Sequence, residues 1–286
     1  MTYEERLRAH LAKYKFRVLR VLESGLWKGA RTGVLAKRPY VLPPESLRLN
    51  ILAPFRERFW AEFDGAARGG PQDETHRAPA LQRDFAHLTS SQAMCFNLFY
   101  PLVVDRAWAR SFVQGVLGLK DAVPKTLAFE YVEDPQEATH FDFFLELERG
   151  GKVYLETRLC ELGFGSTELD ERHREKLAKV YAPRLAALVE PKWLEPEAFF
   201  RRYQLLRSLC YLDKPQHLLF IVLPQANDPL RKALQVLPEI TERALKDRVR
   251  VLYLEELVEK LKPLLRGRDE ALKAHYREFE EKYLPG

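Results

Sequence analysis

The sequence predicts an α/β fold built around one mixed sheet. Three observations carry this. Residues 140–148 and 152–160 alternate apolar and polar side chains with period two on either side of a glycine turn. HLLFIVLP (217–224) and VRVLYL (249–254) read as buried strands separated by helical sequence. Charged, helix-periodic stretches stand at both ends of the chain, so the sheet is flanked by helices with helical N- and C-terminal extensions.

In chain order, Leu7, Leu11, Tyr14, Val18 and Leu22 recur at helical spacing, predicting a helix over 2–23 that ends at Ser24-Gly25. Residues 25–50 are rich in glycine and proline and read as a loop. Residues 51–63 read as a second helix with Pro54 in its first turn, and 64–80 as a loop or linker. TSSQAMCFNLFYPLVVD (89–105) reads as a buried helix containing Pro101. TLAFEYV (126–132) opens the strand series. Helices follow at 168–189 and 196–212, and a C-terminal helix at 255–283 is broken near Pro263. The domain reading is a basic helical extension and loop over 1–80, then a body over 81–286 with its core at about 85–225.

Composition narrows the function classes. The chain has 286 residues, a net charge of +5 and no apolar run of the roughly 18 residues needed to span a bilayer. Its first residues lack the apolar core of a signal peptide, and its three cysteines are widely spaced, so a cytoplasmic location with free thiols is expected. Zinc-ligand spacings and glycine-rich nucleotide loops are absent from the sequence. The basic excess is concentrated: residues 1–48 alone carry +7. That segment, with Lys13, Lys15, Arg17 and Arg20, is a solvated helix face, a nucleic-acid footprint or a membrane-facing surface.

The hairpin carries the chemistry. A three-residue turn at 149–151 makes opposing residues sum to 300. That sets Asp142 against Arg158 and diagonal to Glu156, with Cβ atoms about 7–8 Å apart. Two carboxylates at that separation can share a divalent cation, with the Thr157 carbonyl as a third oxygen, and such a donor set suits Mg²⁺ or Mn²⁺. On spacing alone the pattern is weak, because alternating strands often show acid and base two apart, and the commoner reading is a solvated hairpin face with an Asp142–Arg158 salt bridge worth about 0.2–1 kcal/mol. Gln92 fits either a capping box begun by Thr89 or a supporting role at the site. Glu130 either joins the acids or is exposed. His140, on the face of Asp142, is a structural or exposed histidine or a general base. Gln204 is a candidate nucleic-acid contact, and Tyr203 a contact or a core residue.

The pattern D-(x)13-E-x-R on a hairpin, together with SSQAMCFNLFYPL, LAFEY, FDFFLE, VYLETRLCELGFG and YQLLRSL, resembles a little-characterised bacterial branch of the PD-(D/E)xK, restriction-endonuclease-like superfamily. The resemblance covers about residues 85–225, and YVLPPESLRLNIL more weakly. It implies a metal-dependent nuclease acting on nucleic acid, with DNA in defence or repair as the expected substrate. Asp142 and Glu156 would ligate the metal, and Arg158 would stand in the catalytic-lysine position. The alternative is a nuclease-fold protein that binds nucleic acid without cleaving it. Two departures bear on the choice. Arginine replaces lysine at 158, and the helix at 89–105 lacks the acid often found there, so Gln92 or Glu130 would stand in.

Overall fold

The computed structural model describes residues 1–28, 33–67, 80–135, 137, 139–168 and 170–285. Most of the expected linker at 64–80 lies outside them. After helix α1 (Tyr3–Arg17), strands β1 (Gly25–Lys28) and β2 (Leu35–Arg38) pair as an antiparallel hairpin. Helices α2 (Ala53–Ala67), α3 (Ser91–Val104) and α4 (Arg106–Gly115) lead into β3 (Pro124–Val132), β4 (His140–Leu147) and β5 (Lys152–Thr157). Then come α5 (Glu171–Lys176), one π-turn, α6 (Ala182–Leu185), α7 (Pro196–Arg201) and α8 (Tyr203–Leu209). β6 (Leu218–Leu223), α9 (Asp228–Ala233), α10 (Leu237–Thr241), β7 (Val249–Tyr253), α11 (Leu254–Leu264) and α12 (Glu270–Tyr283) complete the chain.

The main sheet has five strands in the order β3-β4-β5-β6-β7. β3, β4 and β5 are antiparallel neighbours, whereas β5, β6 and β7 run parallel. The parallel half explains the unbroken apolar runs of β6 and β7, because helices cover both faces there. On one face Phe143, Leu145, Val153, Leu155, Phe220 and Val222 pack against residues of α1, α3, α4, α11 and α12. On the other, Phe144, Tyr154, Leu219 and Ile221 meet α6 to α10. The hairpin face read as polar and solvated is therefore enclosed by helices supplied from residues 171–245, far along the chain.

Several local expectations need correction. α1 stops at Arg17, because Arg20 adopts φ +59° and Lys15 Nζ bonds the Glu23 carbonyl, folding the chain back. Tyr3, Leu7 and Leu11 share a core with the sheet and with α12, so the N-terminal helix is packed into the body. The supposed loop at 25–50 holds the β1–β2 hairpin and a 3₁₀ turn over Pro44–Asn50. Helix α4 has no counterpart among the sequence expectations. α3 is capped by Ser90, whose Oγ accepts from Ala93 N, so no capping box begins at Thr89. The three cysteines are free. Among the described residues, no helix is long and apolar enough to cross a membrane.

Candidate active site

The site forms where β4 and β5 part company. Gly150, at φ +83°, closes a tight turn in which its N–H donates to the Leu147 carbonyl and Leu147 N donates to Gly151 O. The connecting residues are thus 148–150, with the glycine in the left-handed position that a three-residue hairpin loop requires. The ladder pairs Glu146 with Lys152, Phe144 with Tyr154 and Phe143 with Leu155. The expected register is off by two, and the Glu148–Lys152 pair does not form; Lys152 bonds Glu133 instead. Continuing the observed register sets Asp142 opposite Glu156.

The ladder stops at Phe143, and the side chain of Asp142 takes over. Its Oδ2 accepts from Thr157 N at 2.6 Å and from Thr157 Oγ1 at 2.8 Å. Alternation also breaks here: Phe141 turns to the core that holds Phe144, and its ring lies tilted against Tyr154 with centroids 4.4 Å apart. On the neighbouring strand Glu130 lies between Phe129, paired with Phe143, and Tyr131, paired with Phe141, so it faces Asp142. Glu130 has φ +48°, a conformation costing a non-glycine residue about 1–3 kcal/mol and found mostly where function demands it. Glu130, Asp142 and Glu156 thus form a row across three adjacent strands.

Arg158 closes the cluster. Its Nη1 lies 3.4 Å from Asp142 Oδ2 and 2.7 Å from the Thr157 carbonyl, and its Nη2 lies 3.1 Å from Glu156 Oε2. The guanidinium therefore rests on the three oxygens that the sequence assigns to a cation. Side-chain exposure is 17% for Asp142, 5% for Glu156 and 8% for Arg158, so none of these charges is solvated as on an open hairpin. Ser208 Oγ of α8 approaches Glu156 Oε1 at 3.3 Å, and the Arg158 guanidinium lies 5.9 Å from the centre of the Phe164 ring.

Sequence reasoning missed Glu161. It accepts from Leu159 N at 2.7 Å and from Ser91 Oγ, and its charge acts on both Asp142 and Arg158. An acid three residues past Arg158, just beyond the strand, was the available signal. Three carboxylates then act on one guanidinium, with Glu130 beside Asp142, and the electrostatics follow. Burial pushes the Asp142 carboxyl up, against the pull of Arg158 and the Thr157 bonds. Burial also pushes Glu156 up to about 7, with Arg158 opposing and Asp142 adding. Glu130 is pushed up to about 7 by burial and by Asp142, while its bond from Gln92 opposes. Burial works against the Arg158 cation, but Glu156, Asp142 and Glu161 outweigh it and hold it above its ordinary value.

The remaining candidates separate. Gln92 Nε2 donates to Glu130 Oε1 at 2.8 Å and to the Ala80 carbonyl, which ties α3 to the acid row. Gln204 lines a small cavity together with Glu156 and Arg158. Tyr203 turns to the Tyr181 hydroxyl at 2.9 Å. His140 is exposed, with Nδ1 at 3.9 Å from Glu130. Lys13, Arg17 and Arg20 are exposed on and just beyond α1, but Lys15 is buried and tied to Glu23, which removes it from any basic surface. The first turn of α1 is the part near the site, since Tyr3 feels Glu161. Lys13 stands about 15 Å further along the axis.

No curated protein matches this chain, and no solved structure does. A family model described as restriction endonuclease associating with ARP matches residues 10–284, nearly the whole sequence and every residue of the site. The chain belongs to that restriction-endonuclease family.

Proposed function

We propose that the protein is a metal-dependent nuclease of the PD-(D/E)xK type, hydrolysing phosphodiester bonds in DNA. Asp142 and Glu156 would hold Mg²⁺ or Mn²⁺, with Arg158 in the catalytic-lysine position. The observation that carries this is the convergence of Asp142 Oδ2, Glu156 Oε2 and Thr157 O on one cation, the Arg158 guanidinium. The donor set is hard oxygen throughout. Among the described residues no group of three or more His, Cys, Asp or Glu stands ready as a cage. Mg²⁺ does not need one, because it keeps several waters and takes its remaining ligands from one or two carboxylates and the substrate phosphate. The excess of acid over base, with two carboxyls near 7, gives a cation an electrostatic reason to enter.

When bound, a divalent cation polarises the phosphoryl oxygen and makes water a stronger nucleophile. The chain's own groups do the rest. Thr157 orients Asp142 through two hydrogen bonds, and Ser208 steadies Glu156. Arg158, released from the carboxylates, neutralises charge on the phosphate; it stays protonated and so accepts no proton. Glu130, near 7, is suited to take one at neutral pH.

A second reading is supported by Arg158 itself. A guanidinium already satisfied by the ligand oxygens suits a protein that binds nucleic acid without cutting it. Incubation with plasmid, linear duplex and single-stranded DNA in Mg²⁺ or Mn²⁺, against a chelator control, tests the two. Metal-dependent cleavage supports the nuclease; binding with no cleavage in either metal favours the second reading.

A further inference from the structure

A cleft of about 420 Å³ opens beside the acid cluster, walled by Arg201, Arg202, Lys232 and Gln235 and floored by Gly163 and Phe164. Among the described residues no acidic side chain lines it. Arg201 and Lys232 are exposed, and neither makes a salt bridge among the described residues. The Arg202 guanidinium lies 5.1 Å from the centre of the Trp193 ring, and it too makes no salt bridge among the described residues. Phe164 and Leu205 line both this cleft and the small cavity reached by Glu156, Arg158 and Gln204. At Gly163 an added Cβ would meet nothing within 4 Å, so the main chain there is open to a close approach.

The other basic features are less suited to a polyanion. A cavity of about 510 Å³ near Tyr211 carries both signs, and its Lys152 and Arg184 are paired with Glu133 and Asp134. Of the exposed cations of α1, Lys13 and Arg17 lie toward the end of that helix remote from the acids, whereas Arg6 stands alone in its first turns, outside the lining of the cleft.

We infer that the cleft between the α7–α8 junction and α9 binds the phosphodiester backbone of nucleic acid and leads it to Asp142 and Glu156. This rests on the nuclease reading above. Three cations that make no salt bridge among the described residues line one surface, and that surface adjoins the acids. A backbone seated there would displace counterions from about three phosphates.

The test is fluorescence anisotropy in chelator, with a labelled 30-base-pair duplex DNA and single-stranded DNA and RNA of the same sequence, over a salt series. Neutralising about three phosphate contacts contributes about 2.7 to the slope of log affinity against log salt for duplex. The triple variant Arg201→Gln, Arg202→Gln, Lys232→Gln is expected to lose most of that slope. Lys232→Gln alone, at an exposed position, is expected to lose about 1; it keeps the test valid should the triple variant melt early. Lys13→Gln, Arg17→Gln, Arg20→Gln should change the slope by less than the cleft triple. Cleft variants that bind with wild-type affinity and slope would overturn the inference while leaving the nuclease reading standing. A wild type that binds none of the three probes would remove that reading and the cleft with it. The ranking of the three probes identifies the nucleic acid.

Discussion

Arg158 Nη1 sits 3.4 Å from Asp142 Oδ2 inside an enclosed site, and its other amino group holds Glu156. The pair is therefore not the solvated cross-strand bridge worth about 0.2–1 kcal/mol. Removing one partner of a buried ion pair costs about 3–5 kcal/mol, because the other charge is left uncompensated. Arg158→Ala is expected to lose stability on that scale in chelator, and to recover more of it on adding Mn²⁺ than the wild type gains. Thermal melts with and without Mn²⁺ check this; an unchanged melting temperature would mean the guanidinium is not what balances the acids. Arg158→Lys should retain or raise cleavage, since lysine restores a group that can also release a proton.

Cation binding should stabilise the wild type by mass action. Because a ligating carboxylate must be ionised, and Glu156 is pushed up to about 7, the gain in melting temperature should grow from pH 6 to pH 8. Asp142→Asn and Glu156→Gln should abolish the gain at both pH values while leaving the circular dichroism spectrum unchanged. A gain that persists in both variants places the cation elsewhere.

Glu130 gives a pH signature without metal. Its folded value of about 7 lies above the ordinary 4.5, so between those values the folded state holds more protons than the unfolded chain. Stability contributed by this group is present at low pH and is lost as pH rises from about 4.5 through about 7. Glu130→Gln should flatten that decline in chelator, measured by denaturant titration at pH 5 and pH 8. It should also slow cleavage by about 10²-fold or more if the carboxylate takes the water's proton. An unaltered pH profile would show that Glu130 titrates normally.

Asn97 on α3 ties three segments together. Its Oδ1 accepts from Leu52 N at 2.9 Å, and its Nδ2 donates to Asn50 O and to the Tyr283 hydroxyl. Lys282, fully buried, donates to Asn50 as well. Asn97→Ala strands several buried polar groups at about 1–3 kcal/mol each. A loss of about 3 kcal/mol or more in denaturant unfolding is expected, in one transition. A separate early transition for the N-terminal segment would show that it folds apart from the sheet.

Much of the fold was legible because the strands signal themselves locally. The alternation of 140–147 and the continuous apolar run of 218–223 depend only on neighbours in sequence. The hairpin register was not, since Arg149-Gly150-Gly151 offers two glycines and only the three-dimensional closure selects Gly150 for the left-handed position. Enclosure of the acids was invisible for another reason: the covering helices come from 171–245, and their apolar faces do not name the surface they bury. Asp142, Glu156 and Arg158 could be grouped from spacing, but their roles rest on the chemistry proposed. Glu161 escaped because it lies outside the strand, where period two no longer ranks residues by face.

The most direct measurement is the initial rate of DNA cleavage by wild type and Glu156→Gln, purified side by side and assayed with Mn²⁺ and with chelator. Glu156 is one of the two acids proposed to hold the cation, and the glutamine keeps its shape and its bond from Ser208. The account predicts cleavage by the wild type only with metal, and a fall of at least 10²-fold in the variant at equal DNA affinity. Equal rates in the two proteins would contradict it, since the cutting would then belong to another site or to a contaminant.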